Sequence, residues 1–381
     1  MSPLATVLYA IIYTIIYLGL LFSQSTFLKY YPDVSLTIRI CFLLLLFSGF
    51  FVPYYLKILR IKLTPTRYFY IAGLLCFLYA CGSRYYYTGE LNDRNFHSFL
   101  QIMPTEQTAA IPKPPDVFRI ICLGGSTTEG FQSRGYPASL QRMLSDKYPA
   151  RKIEVLNAGK YFYSTEHSII QYLFYLKALE PDVLILFHAV NDLIASFTMP
   201  PFSSKPFRRD YGHFYGPLAN IRYPRTFEQF LREFFFADLL IPHLKPILFG
   251  DFKSQHSFRQ NLETIIKIAQ CDGVHLILSN QAHCYSDKND SDPNFLKFQR
   301  YFLVDEHHYA DEKSWYQGME LFNSITRETA EKNLVSFVDQ AAVFNGRREL
   351  FRESVHLTAE GTELLAKLFF EKIVELKLVI P

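Results

Sequence analysis

The sequence predicts an α/β domain, doubly wound around a five-stranded parallel sheet and preceded by three membrane-spanning helices. Three observations lead there. Apolar residues crowd the first 90 positions, in stretches long enough to cross a bilayer. Beyond them, five short runs rich in Val, Ile and Leu are separated by helical patterns. These runs are apolar throughout, as strands covered on both faces are.

The spans come first in the chain. Residues 4–22, LATVLYAIIYTIIYLGLLF, carry no charge and suit a spanning helix of about 20 residues. A second span is expected over residues 36–56, with Arg39 near its start and able to snorkel. A third covers residues 68–82, followed by Tyr85, Tyr86 and Tyr87, which suit an interfacial aromatic belt. Lys57, Arg60, Lys62 and Arg67 lie between the second and third spans without an acid, whereas the first connection has only Lys29 and Asp33. The basic loop is expected in the cytoplasm, which sends the chain beyond residue 90 to the periplasmic or extracellular side. The first stretch lacks the basic start and small-residue site of a cleaved signal peptide. LYAC before Gly82 is spoiled as a lipidation box by the bulk of Tyr79. The expected scheme is a membrane segment over residues 1–88, a linker over 89–116 that ends in IPKPPD, and a globular domain over 117–381.

The globular part follows as strand and helix in turn. The expected strands are VFRIICLG from Val117, IEVLNAG from Ile153, VLILFHA from Val183, VHLILSN from Val274 and VSFVD from Val335. Such units build a three-layer, flavodoxin-like domain whose sites lie beyond the carboxyl ends of the strands. Residues 197–252 interrupt the rhythm with Phe, Tyr and Pro. They form either an insertion that packs its own aromatics, or a lid, acyl-chain wall or membrane-resting patch.

Composition excludes several functions. A net charge of +3 with no Lys/Arg block argues against nucleic acid as a partner. Cys41, Cys76, Cys81 and Cys122 sit in apolar stretches and read as buried hydrophobes. Cys271 and Cys284 are separated by a strand whose ends lie about 20 Å apart, so no disulfide is expected. No Cys/His group has metal-ligand spacing, and no metal site is expected.

The stretch ICLGGSTTEG carries the chemistry. A phosphate loop would need Lys and Ser/Thr after Gly130, where Phe131 and Gln132 stand. The G-x-S-x-G elbow fails because Thr128 occupies its last glycine. What remains is Ser126 at a strand–helix junction, a candidate nucleophile with its own N–H facing the pocket. Gly159 just past the second strand and Asn191 in HAVND could complete an oxyanion hole with that N–H. Near the C-terminus, His356 precedes a helix capped by Thr358, with Glu353 three positions upstream. In a turn that spacing lets the carboxylate hold Nδ1–H and leaves Nε2 free as a base. Asp339, at the end of the fifth strand, is the alternative orienter.

Together, Gly124-Gly125-Ser126 with Gly130, then Gly159, then Ala189-Val190-Asn191-Asp192, then Glu353-Ser354-Val355-His356, resemble the SGNH hydrolases, the GDSL-like esterase superfamily. Three positions depart from its usual blocks: Gly125 stands for aspartate, Ala189 for glycine and Glu353 for aspartate. The resemblance covers about residues 117–375. It implies Ser126 as nucleophile, His356 as general base and then acid, Glu353 as orienter, Gly159 and Asn191 as oxyanion donors, and no cofactor. The implied activity is an esterase acting outside the membrane on an O-acylated glycan or lipid through an acyl-enzyme. Two alternatives stand beside it: an O-acyltransferase for an envelope polysaccharide, and a catalytically silent domain that binds glycan or a partner. A transporter is disfavoured, because the spans hold almost no polar residue beyond Arg39.

Overall fold

The computed structural model describes residues 102, 109–130, 135–197, 245–288, 291, 299, 302–305 and 308–379. The three expected spans, their orientation and most of the aromatic insertion lie outside the described residues. Among the described residues no helix is long and apolar enough to cross a membrane.

Strand β1 (Val117–Gly124) leads through α1 (Ser126–Glu129) and α2 (Gly135–Lys147) to β2 (Lys152–Gly159). Helix α3 (Thr165–Gln171) widens into a π-helical turn over Tyr172–Leu176 before β3 (Val183–Phe187) and α4 (Val190–Phe197). Then come β4 (Lys245–Ile247), α5 (Gln255–Cys271), β5 (His275–Ser279) and β6 (His308–Ala310). The chain closes with α6 (Glu312–Lys332), β7 (Ser336–Val338), α7 (Gln340–Phe344) and α8 (Ala359–Glu375).

Five strands form one parallel sheet in the order β2-β1-β3-β5-β7. These are the five runs expected from sequence, and β1 has the expected bounds. Alternation reappears in three dimensions. Ile121, Leu123, Leu184, Leu186, Leu276 and Leu278 point to one core, with Leu193, Phe258 and Phe322 from α4, α5 and α6. Ile120, Cys122, Val183, Ile185, Phe187 and Ile277 point to the other, with Leu140, Phe344 and Phe369 from α2, α7 and α8. Both strand faces are covered, so period-two patterning is absent from the hydropathy although it governs the packing.

Register sets out the rim that holds the site. Gly124 pairs with Gly159 on one side and Phe187 on the other, Phe187 with Ser279, and Ser279 with Val338. One residue row therefore runs along the carboxyl ends of all five strands, and the loops leaving it converge.

Two features depart from the sequence expectation. A separate parallel pair joins β4 to β6. The described ends of the aromatic insertion meet: Ser254 N–H donates to Ser196 Oγ at 3.0 Å, and Ser254 Oγ donates to the Asp192 carbonyl at 2.7 Å. Phe197 packs beside Phe252, with centroids 6.2 Å apart, and beside Trp315 at 4.6 Å. Cys271 is exposed and Cys284 half-buried, and both are free thiols.

Candidate active site

Ser126 opens α1, directly beyond the rim residue Gly124. Its hydroxyl lies 2.7 Å from His356 Nε2. The opposite ring nitrogen, Nδ1, bonds Glu353 Oε1, and the His356 backbone N–H donates to that same oxygen at 2.8 Å. With Nδ1–H donating to the carboxylate, Nε2 is left to accept the serine proton. Ser126, His356 and Glu353 are thus brought into one hydrogen-bonded chain.

The carboxylate and the imidazole are held by a tight local turn. Phe351 and Leu357 form an antiparallel bridge, and Arg352 N–H donates to the His356 carbonyl at 2.8 Å. Thr358 then caps α8 as expected, its hydroxyl accepting from Gly361 N–H at 3.2 Å. Burial pushes the Glu353 carboxyl up, but the facing His356 and the hydrogen bonds around it outweigh that effect. The net result is a carboxyl held below its usual range, and so ionised.

Asp339 is committed elsewhere. Its carboxylate accepts from Asn280 Nδ2 at 2.6 Å and from the Ala342 N–H at 3.1 Å, and it pairs with Arg327. It caps α7 rather than orienting the histidine.

Beside Ser126 a small recess is lined by Gly125, Thr127, Phe187, His188, Asn191 and Gln281. Asn191 is 4% exposed and its Nδ2 donates one hydrogen to the Tyr163 carbonyl at 2.8 Å. An amide nitrogen carries two hydrogens, so this bond fixes the group's orientation and uses one of them. The absence of a side chain at Gly125 is what admits it: a Cβ there would stand 2.6 Å from Asn191 Nδ2.

The Gly159 N–H has a partner within its own turn. It donates to Asn157 Oδ1 at 3.0 Å, and the same Asn157 side chain donates to the Thr128 and Glu129 carbonyls at 3.0 and 3.1 Å. A Cβ at Gly159 would lie 2.4 Å from the Glu129 nitrogen. Gly159 is small so that α1 can rest against β2, and its donor is spent on Asn157.

Several residues missed by sequence reasoning support this arrangement. Gln281 Oε1 accepts the Val190 N–H at 2.9 Å, and its backbone is held on both sides by the Asn323 amide at 2.9 Å. Asp192 is fully buried and accepts the Thr165 N–H at 3.2 Å, tying the loop after β2 to α4. His167 faces Ser164 Oγ at 2.8 Å, and His188 Nε2 faces Ser168 Oγ at 2.8 Å. Burial pulls His167 down to about 4, and burial with repulsion from His167 pulls His188 down to about 3. The histidine and the aspartate in HAVND were the available signals among these.

The GDSL-like Lipase/Acylhydrolase family profile matches residues 122–364, from β1 into α8. The chain belongs to this family. This GDSL-like acylhydrolase is also 35% identical over 94 residues to an acetylxylan esterase of Xylanibacter ruminicola. That match covers 22% of this chain and 19% of the relative, so it spans about a fifth of the other protein's length. Among solved structures, an acetylxylan esterase of Geobacillus stearothermophilus aligns at 15% identity and a TM-score of 0.43, over 67% of this chain and 94% of the other. An α/β hydrolase from the Lake Arreo metagenome aligns at 13% identity and a TM-score of 0.40, over the same shares.

Gly125→Asp would restore the usual block yet drive a side chain into the Asn191 amide. The expected outcome is a fall in kcat of roughly 10- to 100-fold, the scale of a displaced oxyanion donor, with KM changed little. Steady-state kinetics on a chromogenic ester check it.

Proposed function

We propose that this chain is a serine-dependent acyl hydrolase that works outside the cytoplasmic membrane and removes a short acyl group, acetate foremost, from an O-acylated glycan. The continuous Ser126–His356–Glu353 chain carries the reading. Ser126 Oγ attacks the ester carbonyl while His356 Nε2 takes its proton. The developing oxyanion faces the Ser126 N–H and the Asn191 amide. The protonated His356, stabilised by ionised Glu353, gives its proton to the departing sugar oxygen and leaves an acyl-serine. Water, deprotonated by the same imidazole, then releases the carboxylic acid and restores the serine.

The preference for a short acyl group is supported by the recess beside Ser126. Its enclosed volume is about 10 Å³, room for little beyond a water-sized group. A glycan as the alcohol side is supported by the acetylxylan esterase among the relatives. The location is supported by the apolar stretches at residues 4–22, 36–56 and 68–82 and by the basic loop before the third.

The test is turnover by the detergent-solubilised full chain on 4-nitrophenyl acetate, 4-nitrophenyl octanoate and acetylated xylan. Expected are acetate release from the polysaccharide and a kcat/KM at least about tenfold higher for the acetyl than for the octanoyl ester. A preference for octanoate overturns the short-acyl reading. A reporter fused at residue 90 that is active only in the cytoplasm overturns the location.

A further inference from the structure

A glutamate in place of aspartate adds one methylene and one rotatable bond between backbone and carboxylate. Left loose, such a side chain samples rotamers that do not meet the imidazole, and ordering it costs conformational entropy. Both carboxylate oxygens of Glu353 are nevertheless occupied. Oε1 takes the His356 Nδ1–H and backbone N–H. Oε2 takes the Ser354 hydroxyl at 2.9 Å.

The relay does not stop there. Ser354 Oγ, while donating to Glu353, accepts from Gln299 Nε2 at 2.8 Å. Ser354 is 0% exposed and Gln299 2% exposed, and they are 55 residues apart in sequence. The bond directions are unambiguous: an ionised carboxylate only accepts, so the serine must donate to it, and its lone pair is then open to the amide hydrogen. The Ser354 carbonyl is pinned in turn by the Cys284 N–H at 2.9 Å.

We propose that Ser354 and Gln299 are positioning residues for the catalytic carboxylate: the Ser354 hydroxyl clamps Glu353 Oε2, and Gln299 clamps that hydroxyl. The inference rests on the triad reading above. The relay makes the glutamate behave as a group of fixed reach, so His356 keeps the tautomer and tilt that Ser126 needs. It also supplies one of the hydrogen bonds that favour the ionised carboxylate. Two titratable neighbours of Glu353 stay uncharged: burial pushes the Cys284 thiol up to about 12 and raises the Tyr285 hydroxyl well above its usual value, while Arg348 and Glu312 lie beyond Cys284.

The experiment measures kcat, KM and the rate of fluorophosphonate labelling for the full chain and for Ser354→Ala, Gln299→Met, the double variant and Ser126→Ala. Ser354→Ala is expected to lower kcat and labelling rate together by roughly 10- to 100-fold, the worth of a hydrogen bond to a charged group, with KM within about twofold. Its kcat/KM should also fail at higher pH on the acid side, because the carboxylate has lost a donor. Gln299→Met should cost less, and the double variant should match Ser354→Ala, since Gln299 acts through the serine. Wild-type kcat in Ser354→Ala, or additive losses in the double variant, overturns the relay. A folded wild type that labels no better than Ser126→Ala overturns the triad reading instead, so the two failures are told apart.

Discussion

Ser126→Ala is expected to abolish measurable ester turnover, a loss of roughly 10⁴-fold or more in kcat, and to eliminate fluorophosphonate labelling while leaving the fold intact. The hydroxyl donates to His356 Nε2 and to nothing the fold depends on, so thermal stability should stay near that of the wild type. Glu353→Gln is the more informative partner. Its amide can turn an N–H toward His356 Nδ1, which forces the ring proton onto Nε2. The base then points a hydrogen at Ser126 and cannot accept one, at an expected cost of roughly 10²- to 10⁴-fold in kcat. Asp339→Asn should leave kcat within about threefold, because that carboxylate serves α7, Asn280 and Arg327. A large loss in Asp339→Asn with little in Glu353→Gln would reverse the assignment.

The second large effect is on stability in mild acid. His167 and His188 are buried with folded-state values of about 4 and about 3, against 6.5 for a free imidazole. Both values are depressed, so the stability they allow is complete above pH 6.5. As the pH falls below that, the unfolded chain takes up protons that the folded chain refuses. The loss continues until the folded-state values are reached. At pH 5 the cost is about 2 kcal/mol for each histidine, a large share of the roughly 5–15 kcal/mol that holds a domain together. Carboxylates with depressed values, Glu353 and Glu320 among them, begin to contribute only nearer their own range, at lower pH. Denaturant unfolding between pH 7 and pH 5 should therefore show a decline that His188→Gln reduces by about half. An unchanged slope in that variant would show that the decline has another source.

What was legible in the sequence and what was not divide along physical lines. The strands of the main sheet read directly because buried parallel strands are apolar on both sides, as ICLG and VLILF are. Strands β4 and β6 did not, since KPI and HYA are three residues long and owe their pairing to each other. Ser126, His356 and Glu353 were recognisable because each sits in a local pattern whose chemistry needs only short spacing. The bond from Gly159 N–H to the Asn157 side chain, two residues back, was not legible, because it exists only once the turn has formed. Gln299 and Gln281 were invisible, because their roles exist only after distant loops have met. The same holds for Asp339, whose position at a strand end suits an orienter but whose bonds serve a helix start.

The clasp between Ser196 and Ser254 has an evolutionary reading. A chain that leaves a domain and returns to the same point closes its loop there, and the entropic cost of closure grows only with the logarithm of what lies between. Selection can lengthen, shorten or exchange the excursion while the sheet rim and its serine stay as they are. That makes the aromatic segment the part of this chain whose length the fold constrains least. Exchanging it between relatives at Ser196 and Ser254 should leave the Ser126–His356–Glu353 chain in place.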